Sequence, residues 1–126
     1  MKLGIFITLF LLFAVVSGCY KDVISPGSDP NGPPQNVSFS GDLVPLFSSN
    51  CGSAGCHDAV PNHKPSLVPE KAYSALISGG YVNTAVPSSS AIYLVVKSGE
   101  MPPSGGLKSS DAQKILDWIR NGAPNN

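Results

Sequence analysis

The apolar and polar positions of this 126-residue chain divide it into three unequal stretches. After the positive charge of Lys2, Leu3 to Val16 is an almost unbroken run of Leu, Ile, Phe, Val and Ala. These fourteen residues fall short of the ~20 that an ordinary membrane-spanning helix needs, and they suit the hydrophobic region of a secretion signal. From Ser25 to Asn36 the character reverses: four prolines, two glycines and no aliphatic or aromatic side chain. Such a segment cannot bury a core and is expected to be a solvated, partly extended tether. About twenty residues of this kind would reach about 25 Å as a flexible coil and about 60 Å if stretched toward polyproline II. Beyond it, apolar residues return in short segments with helical spacing.

Four helices are predicted from that spacing. The first runs from Asp42 to Ser49, with Asp42 as N-cap, Pro45 in the first turn, and Leu43, Leu46 and Phe47 on one face. The second spans Glu70 to Ser78, opened by Pro69, stopped by Gly79-Gly80, with Tyr73, Leu76 and Ile77 apolar. A third follows the serine cluster Ser88 to Ser90, covers Ala91 to Lys97 and ends at Gly99. The fourth has a Ser109 or Ser110 cap, Asp111 in the first turn, and Ala112, Ile115, Leu116 and Ile119 on one stripe. Arg120 lies in its last turn and Gly122 follows as a stop. No segment alternates with the period of a strand, so the expected class is all-α.

Charge narrows the function. Eight Lys or Arg balance eight Asp or Glu, and loss of Lys2 with the leader leaves the remainder near −1. No basic stripe is present to neutralise phosphates, which argues against nucleic acid as a partner.

The chemistry concentrates in Cys51-Gly52-Ser53-Ala54-Gly55-Cys56-His57. Two thiols can capture the two vinyl groups of a haem as thioethers, and an imidazole directly after the second can bind the iron as an axial ligand. The usual attachment spacing is C-x-x-C-H; here four small residues separate the cysteines, and their lack of bulk lets the extra length bulge. The same pair could instead close a small disulfide loop, since exported proteins retain disulfides. A zinc site from Cys51, Cys56, His57 and His63 is a third option, although adjacent Cys56 and His57 are awkward ligands for one tetrahedral metal.

A second axial ligand is available in Met101, the only methionine beyond the leader, forty-four residues after His57. Pro102-Pro103 holds it in an extended, non-helical loop, where a thioether is better placed for presentation to a fixed point than for filling a core. His63 lies six residues after His57 and reads as a surface-loop histidine on the proximal side.

Two resemblances follow from these residues. Val16-Ser17-Gly18-Cys19, closing the apolar run, resembles the lipobox of bacterial lipoproteins. It implies a leader at 1–18 and lipid attachment at Cys19, with a lipid-anchored linker at 19–39. Cys51, Cys56, His57, Met101-Pro102-Pro103 and the terminal Trp118-Ile119-Arg120-Asn121-Gly122-Ala123 together resemble a small monohaem cytochrome c domain, over roughly Ser40 to Ala123.

That resemblance implies a small cytochrome c-like helical domain at 40–126, wrapped around one covalent haem c. It implies Cys51 and Cys56 as thioether donors, His57 and Met101 as iron ligands, and an electron carrier rather than an enzyme. The implied place is the periplasmic face or outer surface of a bacterial membrane, with redox proteins as partners. The candidate haem pocket comprises Leu46, Phe47, Leu67, Tyr73, Ile92, Val96, Ile115 and Ile119; Trp118 serves either the core or the haem edge. The alternatives are a haem enzyme or sensor with an open distal site, where His63 or Glu100 would act, and a haem-free module stapled by a Cys51–Cys56 disulfide.

Overall fold

The computed structural model describes residues 30–60 and 62–126. The expected leader at 1–18, Cys19 and the tether up to residue 29 lie outside the described residues. Four α-helices account for the regular structure, with no strand among the described residues: α1 (Val44–Asn50), α2 (Ala72–Ser78), α3 (Ala91–Lys97) and α4 (Ser109–Arg120). None of these helices is long and apolar enough to cross a membrane.

The helices end at or within a residue of where the sequence marks their ends, and α3 also starts at the expected Ala91, whereas the other three starts are displaced. The first begins earlier than Asp42, in a π-helical turn over Phe39–Leu43 that runs directly into α1. Ser38 is its cap: the hydroxyl accepts from the Gly41 N–H at 3.0 Å, and Asp42 Oδ2 accepts from the Ser38 N–H at 2.9 Å. Asp42 is thus the answering carboxylate of a reciprocal cap rather than the cap itself. Helix α2 starts at Ala72, two residues after the expected Glu70. Ser90 is the N-cap residue of α3, but its hydroxyl is engaged elsewhere, accepting from the Asn83 N–H at 2.9 Å. Lys108, not Ser109 or Ser110, precedes the first turn of α4.

Helix α4 organises the core. Ala112, Ile115, Leu116 and Ile119 are all buried, as one apolar stripe at helical spacing should be. The helix packs on α3, on the π-helical turn and on a short 3₁₀ turn at Pro87–Ser89. Its end is closed by Gly122 N–H to the Ile119 carbonyl and Ala123 N–H to the Trp118 carbonyl, with Gly122 in the left-handed region at φ 90°. That is the Schellman arrangement, which a glycine makes sterically cheap. Trp118 is fully buried and anchors an aromatic cluster, with ring centroids 5.1 Å from Phe39 and 6.4 Å from Tyr73.

Packing extends N-terminally of the boundary expected at residue 40. Val37 and Phe39 are both buried in the core. The preceding residues are fastened to α4: Arg120 donates to the Gly32 carbonyl at 2.7 Å, Asn121 to the Gln35 carbonyl at 2.6 Å, and the Gln35 N–H to Asp117 at 3.2 Å.

Candidate functional site

Helix α1 delivers the first thiol by ending at it. Cys51 is its C-cap residue, and the N–H groups of Cys51 and Gly52 both return to the Phe47 carbonyl at 2.8 Å. The four residues that follow are absorbed as a β-turn: Cys56 N–H donates to the Ser53 carbonyl at 3.0 Å, with Gly55 at φ 82° in the third position. A positive φ at that position is the mark of a type II turn, and it needs a residue without Cβ. His57 N–H then donates to the Cys51 carbonyl at 3.2 Å, so the two ends of the motif meet despite the added length.

His57 is oriented by the loop that follows it. Its Nδ1 lies 2.8 Å from the Pro65 carbonyl. A carbonyl can only accept, so Nδ1 carries a proton, and in the neutral imidazole Nε2 is left with its lone pair. A backbone carbonyl held against Nδ1 in this way fixes the tautomer and ring plane of a metal-binding histidine. The backbone reinforces it, with Leu67 N–H to the His57 carbonyl at 2.8 Å and Ser66 Oγ to the Asp58 carbonyl at 2.7 Å.

Met101 arrives from the other side of the sequence. Gly99, at φ 77°, ends α3, and the Met101 N–H turns back to the Val95 carbonyl at 3.0 Å. The methionine is therefore pinned to the last turn of α3, half-buried rather than packed away.

These elements surround one apolar cavity of about 360 Å³, and Cys51, Cys56, His57 and Met101 all line it. Its walls include Phe47, Leu67, Ile92, Val96 and Ile115, contributed by α1, the loop after His57, α3 and α4. Cys51 and Cys56 are both free thiols. Burial pushes the Cys51 thiol up to about 11, with the charge of nearby Cys56 adding to the effect; Cys56 itself is exposed. Among the described residues no three His, Cys, Asp or Glu side chains cluster as a metal cage.

Of the apolar residues expected at the pocket, Phe47, Leu67, Ile92, Val96 and Ile115 line it, whereas Leu46, Tyr73 and Ile119 do not. Tyr73 is drawn to the opposite cluster, where its ring meets Phe39 edge-on at 5.2 Å and its hydroxyl donates to the Ala123 carbonyl at 3.1 Å. Trp118 is likewise absent from the lining, and its Nε1–H donates to the Pro124 carbonyl at 2.9 Å. His63 is exposed but reaches the cavity rim; Glu100 is exposed and does not line it. Tyr81, Val95 and Leu107 contribute wall that sequence reasoning missed. Val95 was legible as a neighbour of Val96 in an apolar helix, while Tyr81 and Leu107 lie in irregular segments without a periodic signal. Cys19 lies outside the described residues.

No protein-family model matches this chain, and neither curated proteins nor solved structures give a match.

Proposed function

We propose that this chain is an exported, lipid-anchored electron carrier that holds one haem c through Cys51 and Cys56, with His57 and Met101 as axial ligands. The observation that carries the reading is that two chain segments forty-four residues apart bring these four residues to the lining of one apolar cavity.

The residues present fit the group. The cavity volume of about 360 Å³ falls within the ~300–1,000 Å³ of ordinary ligand and cofactor sites. The donor set is two free thiols, an imidazole whose Nε2 lone pair is kept available, and a soft thioether. A haem held there supplies reversible one-electron exchange at its iron.

The chain's own residues do the rest. Cys51 and Cys56 would hold a haem as thioethers, the thiols of both residues lying at the cavity lining. Pro65, through its carbonyl, keeps the proton of His57 on Nδ1 and its ring in one orientation. The Met101 thioether would favour ferrous over ferric iron, and the apolar walls from Phe47, Ile92 and Ile115 would favour the lower-charge state by excluding water. With His57 and Met101 both held toward the group, the site would suit a carrier rather than an enzyme. The leader and Cys19 imply attachment to a bacterial membrane on its periplasmic or outer side, with redox proteins as partners.

A second reading, a haem enzyme or sensor with an open distal site, draws support from His63 at the cavity rim. Two measurements decide. Haem should remain with the polypeptide after denaturation, and a protein that releases it sinks the attachment. Met101→Ala should lower the reduction potential and admit carbon monoxide readily, whereas the wild-type ferrous protein should bind it slowly. Fast binding by wild type would transfer the assignment to the open-site reading. Membrane fractionation of Cys19→Ala tests the anchor: processing and membrane retention like wild type would refute lipid attachment.

A further inference from the structure

The expanded Cys51–Cys56 spacing poses a mechanical problem. Two extra residues beyond the usual attachment spacing give the loop more conformations, and thiols on a loose loop meet a fixed cofactor less often. The structure contains a restraint at this place that the functional reading does not use. Asp58 directly follows His57, and its two carboxylate oxygens accept from two different segments: Oδ2 from the Gly55 N–H at 3.0 Å and Oδ1 from the Val60 N–H at 3.1 Å.

The first of these bonds reaches back inside the motif, to the turn residue that gives the loop its shape. Gly55 has no ladder or helix partner for its amide, so the carboxylate satisfies a donor that the bulge would otherwise present to water. The second holds the chain leaving the motif. The backbone carbonyl of Asp58 accepts from Ser66 Oγ at 2.7 Å, and Ser66 adjoins Pro65, whose carbonyl orients His57. One residue therefore connects the turn between the thiols, the strand of chain after the imidazole, and the group that fixes the imidazole's tautomer.

We propose that Asp58 is the positioning residue of this site, closing the expanded Cys51–Cys56 loop so that both thiols and the His57 ring line the same cavity. The proposal rests on the haem-carrier reading for its purpose, but the loop-closing role stands on the hydrogen bonds alone. A carboxylate is suited to it because two acceptor oxygens can serve two amides at once, and bonds from amides to an ionised acceptor are stronger than neutral ones. Asparagine keeps only one acceptor oxygen, and glutamate adds a methylene that displaces both.

The experiment uses the full chain in the form in which it is isolated. Amide hydrogen exchange is followed at Gly55 and Val60 in wild type, Asp58→Asn and Asp58→Ala, with circular dichroism melts reporting the global fold. Exchange at both amides should quicken about tenfold in Asp58→Ala, the size expected from losing a charge-assisted bond, while amides in α4 keep their rates; Asp58→Asn should quicken one amide more than the other. In parallel, the pyridine derivative of the denatured haem protein distinguishes one thioether from two, because an unreacted vinyl shifts the visible band to longer wavelength. Asp58→Ala should shift toward singly attached haem, and Asp58→Asn should recover part of the double attachment. Unchanged exchange at both amides overturns the proposal, as does full double attachment in Asp58→Ala. If wild type carries no covalent haem, the carrier reading fails, and the exchange rates alone then decide whether Asp58 closes the loop.

Discussion

Trp118 offers the sharpest separation between what holds this domain together and what shapes its site. Its indole is fully buried, packs at a tilt on Phe39 and edge-on to Tyr73, and donates to the Pro124 carbonyl, yet it does not line the cavity. Truncation of a buried aromatic to alanine costs about 3–5 kcal/mol. A small domain has a total stability of roughly 0.05–0.15 kcal/mol per residue, so Trp118→Ala should remove about a fifth or more of it. The milder Trp118→Phe retains most of the ring contact and loses the N–H to Pro124, an effect of about 1–2 kcal/mol including the contact area forfeited. With a urea slope of about 1 kcal/mol/M for a chain of this size, Trp118→Phe should move the unfolding midpoint down by about 1–2 M. The assay is urea unfolding by circular dichroism, with the visible spectrum and reduction potential recorded under native conditions. Stability should fall while both site readouts stay at wild-type values. A Trp118→Phe protein with wild-type stability and an altered potential would refute the argument and return the tryptophan to the haem edge.

Three further predictions address the thiols and the tether. Cys51 holds its proton up to about 11 in the folded chain, above the ordinary value near 8.5, so the folded state of haem-free protein binds more protons than the unfolded state between those values. Its contribution is complete below about pH 8.5 and is lost as pH rises toward 11; because the thiol is partly open to solvent, the loss should be about 1–2 kcal/mol. Urea unfolding across that range checks it: Cys51→Ala should lose less stability than wild type, and identical pH profiles would contradict the assignment. Maleimide labelling at pH 8 should also reach exposed Cys56 before Cys51. Separately, Asp117 is buried and accepts from Gln113 at 2.9 Å, Arg120 at 3.1 Å and the Gln35 N–H at 3.2 Å. Asp117→Ala should cost about 2–3 kcal/mol by stranding these donors and should speed Gln35 amide exchange about tenfold; slow exchange at Gln35 in the variant would show that the tether is held by something else.

Local signals made the helices legible. The apolar stripe of α4 and the stops at Gly79-Gly80, Gly99 and Gly122 are set by side-chain period and by backbone freedom within a few residues. The start of the first helix was less legible, because its cap is a hydroxyl outside the periodic segment: Ser38, hidden in an apparently unstructured tether, caps the turn in place of Asp42. That tether illustrates a general limit. Composition marks residues 25–36 as unable to form a core, and of these the described residues 30–36 include no buried side chain, but composition is silent on whether the neighbouring helix will offer Asp117, Arg120 and Asn121 as partners.

The sequence by itself determined the helical class, the leader and Cys19 as expectations, and the identity of four chemically distinctive residues, because rare residue types in a fixed order carry their chemistry with them. Only the tertiary structure decided that Cys51, Cys56, His57 and Met101 line one cavity, since chain separation says nothing about distance in space. It also sorted the apolar residues into two groups. Helical periodicity gives the buried face of each segment, but Tyr73 and Trp118 turn to the aromatic cluster with Phe39 while Ile92, Val96 and Ile115 wall the cavity. Which part of an apolar face meets a neighbour and which meets a void depends on how the helices cross, and that is fixed by the packing of the whole core rather than by any one segment.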